Sequence, residues 1–254
     1  MINDKNFTET LFTSPEGLTF YIRKGKGQIQ NRATCLFFTA SWHDSLVHQE
    51  LGKFSRFLEE IGISTISCDL PDHPYGSSYD KGISTWKEKS AQGEKIGQLF
   101  AEKVVSALVL MEEYGLISLN HFALSGISRG CFIALYTLKR LKTIRHDLSP
   151  PTILFAPMLS LPHENLLNDL FPSSGKSAPL FLSIGNSDIR VGTNQAIHFF
   201  QHYVDEAKKE KERHIDATLH IHPSIGFMGH GTPDELFQTG AHWIQNHLKK
   251  VAHS

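Results

Sequence analysis

The sequence predicts a doubly wound α/β domain: a mostly parallel β-sheet flanked by helices, with an N-terminal β-hairpin. Three observations carry this expectation. Short apolar runs alternate with longer segments of helical period along most of the chain. Some of these runs, such as Thr34-Cys35-Leu36-Phe37-Phe38, are apolar almost throughout, as in strands covered on both faces. Lastly, Gly126-Ile127-Ser128-Arg129-Gly130 sits between one such run, Phe122–Leu124, and the helix-forming Phe132–Tyr136, so that strand, sharp turn and helix follow directly.

Thr8–Phe12 and Leu18–Ile22 flank the turn signal Ser14-Pro15-Glu16-Gly17 and predict an antiparallel hairpin at a sheet edge. Lys24–Arg32 is polar with two glycines and reads as a loop before the strand Thr34–Phe38. Leu46, Leu51, Phe54, Leu58 and Ile61 lie close to helical spacing and predict a helix over Ser45–Ile61. Ser64–Cys68 is the next strand, and Asp69–Gly82 a long loop. A long helix is expected from Trp86 or Gln92 to Tyr114, stopped by Gly115. After the strand–turn–helix come a strand at Thr152–Phe155, an irregular stretch at Ala156–Ser177 long enough for a small lid, and a strand at Pro179–Ile184. A helix over Asn194–Arg213, a strand at Ala217–His222 and a closing helix over Asp234–Lys250 complete the pattern. The charge run from Asp205 to Arg213 reads as a solvated helix end. There is no internal repeat or domain boundary, so residues 1–254 are expected to form one domain.

Composition narrows the function classes. A net charge of −1 supplies no general attraction to nucleic acid or to an anionic membrane, and no 18-residue apolar run is present. Cys35, Cys68 and Cys131 are scattered beside apolar runs, the pattern of buried thiols in a reducing compartment; with no export-like N-terminus, a cytoplasmic location is expected. Of the 15 histidines, His220/His222 and His198/His202 are spaced to face together, but no carboxylate or cysteine cluster accompanies them. No metal and no cofactor is expected.

In doubly wound sheets, functional groups collect beyond the carboxyl ends of the strands. Ser128 lies at one such end, Asp188 at a second, within Gly185-Asn186-Ser187-Asp188-Ile189-Arg190-Val191, and His230 at a third, within Gly229-His230-Gly231. A serine hydroxyl is a weak nucleophile at neutral pH. It needs an imidazole to take its proton and a carboxylate to orient that imidazole. Glycines 126 and 130 remove Cβ atoms that would crowd a strained turn at Ser128, and the Arg129 N–H at the helix start faces a developing oxyanion.

These motifs resemble the α/β-hydrolases, nearest to the compact dienelactone hydrolases and the catalytic domain of prolyl-oligopeptidase-type enzymes. The resemblance implies an α/β-hydrolase fold, with Ser128 as nucleophile, Asp188 as acid and His230 as base. It also implies a second oxyanion donor after the strand ending at Phe38, where this chain has Thr39-Ala40-Ser41-Trp42 instead of a His-Gly pair, leaving Ser41 or Trp42 as candidates. The Asp69–Ser78 loop departs from the family pattern and is expected to shape the pocket; His73 and Tyr75 within it, with Ile127, are the substrate-contact candidates. Two registers of the last loop remain open, one with His230 as base and one with Phe227 at that position, and His222 is a rival imidazole. The expected activity is acyl transfer from carboxylic esters of small to medium acyl groups, with a small-molecule acyl substrate as the partner. Peptidase or thioesterase action, or non-catalytic binding on the same fold, are the alternatives.

Overall fold

The computed structural model describes residues 8–27, 33–166, 177–209 and 214–251. Its centre is an eight-stranded sheet built from β1 (Thr8–Thr13), β2 (Thr19–Arg23), β3 (Thr34–Phe38), β4 (Ser64–Ser67), β5 (Phe122–Ile127), β6 (Thr152–Phe155), β9 (Leu180–Gly185) and β10 (Ala217–His222). Between β6 and β9, β7 (Ser160–Leu161) and β8 (Glu164–Asn165) form a separate two-stranded hairpin. The spatial order is β1-β2-β4-β3-β5-β6-β9-β10. β1 and β2 pair antiparallel, β2 pairs antiparallel with β4, and every later pairing is parallel. The N-terminal hairpin therefore extends one edge of a parallel sheet.

Two hydrophobic clusters explain why the strands are apolar almost throughout. Leu36, Phe38, Leu124, Leu154 and Leu182 face one side of the sheet, and Cys35, Phe37, Ala123, Ile153, Phe155 and Phe181 face the other. The first side is covered by α4 (Ile96–Glu113), α5 (Arg129–Ile144) and α6 (Thr193–Lys209), the second by α2 (Lys53–Glu60) and α7 (Asp234–Val251). Leucine, isoleucine and phenylalanine side chains buried in this way contribute about 1.5–3 kcal/mol each, so both clusters hold the strand ends that carry the site. The three cysteines are free and buried, and burial raises each thiol well above its ordinary range. Among the described residues no helix is long and apolar enough to cross a membrane.

Two helix expectations need correction. The segment from Ser45 to Ile61 is not one helix but a short α1 (Trp42–Leu46) followed by α2. The long helix ending at Tyr114 is likewise two, α3 (Tyr79–Ala91) and α4, and α3 begins within the stretch expected to be loop. The break falls at Gly93, whose φ of +91° no L-residue adopts readily. Glu164 from β8 then accepts from the N–H groups of Gly97 (3.1 Å) and Gln98 (3.1 Å), so the start of α4 is satisfied from across the fold. In the lid expectation, residues 167–176 lie outside the described residues; the preceding part is the β7–β8 hairpin.

Candidate active site

Ser128 stands at the junction of β5 and α5 with φ 55° and ψ −119°, a conformation that an L-residue holds only where its surroundings force it. Those surroundings leave no room for side chains. A Cβ on Gly126 would lie 2.4 Å from the Cys131 nitrogen, and one on Gly130 would lie 2.0 Å from the Phe38 carbonyl oxygen. The two glycines thus let α5 start directly against β3 and β5, with Ser128 at the apex. Ser128 lines a cavity of about 540 Å³ together with Ala40, Ile127, Arg129, Phe227 and His230.

The loops after β9 and β10 bring the other two groups together. The His230 Nδ1–H donates to Asp188 Oδ2 at 2.7 Å, and both side chains are buried. Asp188 Oδ1 accepts from the N–H groups of Arg190 (2.9 Å) and Val191 (3.1 Å), and the Asp188 N–H donates to Thr193 Oγ1 (2.9 Å). The carboxylate is thus held at Oδ1 by two backbone N–H groups and at Oδ2 by His230. The His230 loop is clamped to the Asp188 loop: Ile189 N–H donates to the Met228 carbonyl (3.1 Å), and Ser187 N–H to Ser224 Oγ (2.7 Å). A Cβ on Gly229 would lie 2.5 Å from the Ser187 carbonyl oxygen, so this close approach requires glycine. With Nδ1 engaged, His230 Nε2 is buried and has no hydrogen-bond partner among the described residues. Burial lowers His230 below its ordinary 6.5; Asp188 opposes the shift, while Arg190 and Arg129 add to it.

Of the rival groups, His222 ends β10, buried, with Nδ1 against the Pro223 carbonyl (3.0 Å), and does not line the cavity. Phe227 lines it as a mostly exposed side chain.

The oxyanion candidates need correction. The Ser41 N–H donates to Asp44 Oδ2 (3.1 Å) and the Trp42 N–H to Asp69 Oδ1 (3.0 Å). The Thr39 N–H is also engaged, donating to Ser45 Oγ (3.2 Å). Of these four successive amides, only that of Ala40 has no partner among the described residues, and Ala40 lines the cavity with Ser128. The cause is a capping box: Ser41 caps α1, accepting from the Asp44 N–H while Asp44 reaches back to the Ser41 N–H. Sequence reasoning missed Ala40, although Ser41-x-x-Asp44 carried the signal. The Arg129 N–H, at the first position of α5, has no partner among the described residues either.

The substrate-contact candidates divide. Ile127 lines the cavity. His73 does not: it is buried, its Nδ1–H donates to the Pro71 carbonyl (2.6 Å), and its Nε2 accepts from Arg129 Nη1. Burial above all, with Arg129 adding to it, lowers His73 to about 4, so at neutral pH it stays an uncharged acceptor. Gly82 permits this, because a Cβ there would lie 2.3 Å from His73 Nε2. Tyr75 is exposed and packs on His43, with ring centroids 4.2 Å apart, beside a separate small cavity. The loop departs from expectation because His73 is used to hold Arg129.

A sheet of this order with a strained serine turn at the β5–α5 junction defines the α/β-hydrolase fold. No family model and no curated protein matches the sequence. Solved structures do match. A dienelactone hydrolase from Anabaena variabilis superposes with a TM-score of 0.59 at 15% identity, covering 94% of this chain and 96% of that one. Esterase PE8 gives 0.57 at 17%, covering 90% and 98%. Dipeptidyl peptidase 4 from Porphyromonas gingivalis gives 0.60 at 14%, covering 94% of this chain but 35% of that one.

Proposed function

We propose that the protein is a serine hydrolase that cleaves carboxylic esters through an acyl-enzyme, with Ser128 as nucleophile, His230 as general base and Asp188 as its orienting carboxylate. The observation that carries the reading is the His230 imidazole. Asp188 fixes its Nδ1–H, and its Nε2 is left buried and unpaired beside a cavity that also holds Ser128. An unsatisfied buried polar atom costs about 1–3 kcal/mol; His222 Nε2 is also unpaired, but His230 is the imidazole that both bonds Asp188 and lines the cavity with Ser128.

Ser128 Oγ attacks the ester carbonyl while its proton passes to His230 Nε2. The oxyanion of the tetrahedral intermediate is held by the N–H groups of Arg129 and Ala40. Collapse breaks the bond to the alkoxy group, which leaves with the proton from His230. Water then adds to the acyl carbon, giving its proton to Nε2; cleavage of the ester bond to Ser128 releases the acid and returns that proton to Oγ.

The test is covalent labelling. A fluorophosphonate probe should label the protein once, and Ser128→Ala should abolish labelling and p-nitrophenyl acetate hydrolysis while changing stability by no more than about 1 kcal/mol. Undiminished labelling of the variant would remove Ser128 from the mechanism, and an unlabelled native protein would favour a binding role for the fold.

A further inference from the structure

The loop that carries His230 has little apolar packing to hold it. None of residues 223–228 is buried, and Ile225, Phe227 and Met228 all expose large side chains, Phe227 to 76%. A segment with so few buried contacts ordinarily opens with ease. Yet the loop must keep His230 Nε2 directed at one serine, and a misplacement of about 1 Å can cost roughly 100-fold in rate. Polar links have to supply what packing does not.

The strand ladder supplies only the first of them. β9 and β10 pair as far as Gly185 and His222, and the Asn186 N–H adds a bond to the His222 carbonyl (2.7 Å). Pro223 follows with no N–H to give, so the ladder stops. Two side chains then take over. Asn186 Oδ1 accepts from the Ser224 N–H (3.1 Å), and Ser224 Oγ accepts from the Ser187 N–H (2.7 Å). The acid loop and the base loop thus each hold the backbone of the other. The fit around this exchange is close: a Cβ on Gly185 would lie 2.8 Å from both Ser224 Oγ and the Gly229 carbonyl oxygen.

Asp188 does not share this dependence. The N–H groups of Arg190 and Val191 hold its carboxylate. Thr193 Oγ1 accepts from the Asp188 N–H and donates to the Gly185 carbonyl (2.5 Å), closing the turn. The acid is fixed within its own loop, whereas the base is fixed from outside.

We infer that Asn186 and Ser224 are positioning residues for the general base: their exchange of hydrogen bonds brings the His230 ring onto a stationary Asp188. The inference rests on the serine-hydrolase reading for its effect on rate, but not for its effect on the His230–Asp188 bond. Neither side chain lines the cavity that holds Ser128, so the effect belongs to kcat and not to substrate affinity.

The test uses Ser224→Ala, Asn186→Ala and the conservative Asn186→Asp, which keeps the accepting oxygen. Asn186 is exposed and Ser224 half-buried, so water replaces the lost partner, and thermal midpoints should stay within about 4 °C of the native value. With p-nitrophenyl acetate, each alanine variant should lose roughly 10- to 100-fold in kcat with KM changed less than about 2-fold, and Asn186→Asp should recover most of the loss. The direct readout is the His230 Nδ1 proton. Held by Asp188, it should give a far-downfield proton resonance in the native protein that His230→Ala removes. That signal should vanish or broaden in both alanine variants and return in Asn186→Asp. Its persistence in both alanine variants would overturn the inference, whatever happens to kcat. A fall in kcat that only tracks a fall in thermal midpoint, or that Asn186→Asp leaves uncorrected, would make the two residues merely structural and overturn it as well. If the native protein takes no fluorophosphonate label, the hydrolase reading fails and the resonance alone decides the positioning role.

Discussion

At the scale of single residues, the site depends on which imidazole faces the cavity. His222 ends β10 and His230 lies in the loop after it, yet of the two His230 alone bonds Asp188 and lines the cavity with Ser128. His230→Ala is therefore expected to lower kcat about 10³-fold or more, and His222→Ala far less. The reverse order would assign the base to His222. The pH profile follows from the direction of the shift. The base works only as neutral imidazole, and burial lowers His230 below 6.5, so the acid limb of kcat/KM should have its midpoint below pH 6.5. The same shift has a sign for stability. The unfolded chain takes up this proton more readily, so the His230 contribution is intact above 6.5 and declines as pH falls. A limb above pH 7 would be incompatible with a buried His230 as base.

At the scale of elements, α1 is only five residues long, and its cap matters more than its packing. Asp44 accepts from the Ser41 N–H and from Ser41 Oγ (2.7 Å), and Tyr79 Oη donates to it at 2.6 Å. These bonds tie the start of α1 to α3 and leave the Ala40 N–H as the open donor. In the proposed mechanism Asp44 is a positioning residue that does not touch the reacting atoms. Asp44→Ala should cost about 1 kcal/mol of stability as a lost cap, and should lower kcat roughly 10-fold or more with KM nearly unchanged, since the oxyanion exists only beyond the ground state. A stability loss with kcat intact would make the cap merely structural. The broken helices carry a related lesson. The sequence allowed a start at Trp86 or at Gln92, because apolar residues on both sides keep the helical period going. Only the Glu164 cap, arriving from β8, shows why α4 can begin afresh at Ile96.

At the scale of the whole molecule, the two-faced core holds the carboxyl ends of β5, β9 and β10 along one end of the sheet, with β6 between β5 and β9, and the site is assembled from loops that never meet in sequence. The proposed chemistry asks only for a nucleophile, a base and two amides, and no three His, Cys, Asp or Glu side chains gather as a metal-binding set among the described residues. Hydrolysis measured after exhaustive EDTA treatment should therefore equal that of the untreated protein. Activity lost to EDTA and restored by zinc would require a Lewis acid that this mechanism does not contain.

By itself, the sequence determined the strands, the parallel core and the turn at Ser128, because each follows from interactions between near neighbours. Apolar runs must be covered on both faces, and glycines two positions either side of a strained serine answer a local steric demand. It also placed Ser128, Asp188 and His230 beyond strand ends, where a doubly wound sheet gathers its polar groups. The tertiary structure decided which groups are already spoken for. Ser41 and Trp42 lose their free amides to Asp44 and Asp69, and His73 turns inward to hold Arg129. A hydrogen-bond donor has one proton to give, and whether a distant carboxylate claims it depends on how the chain packs, which no spacing of residues reveals.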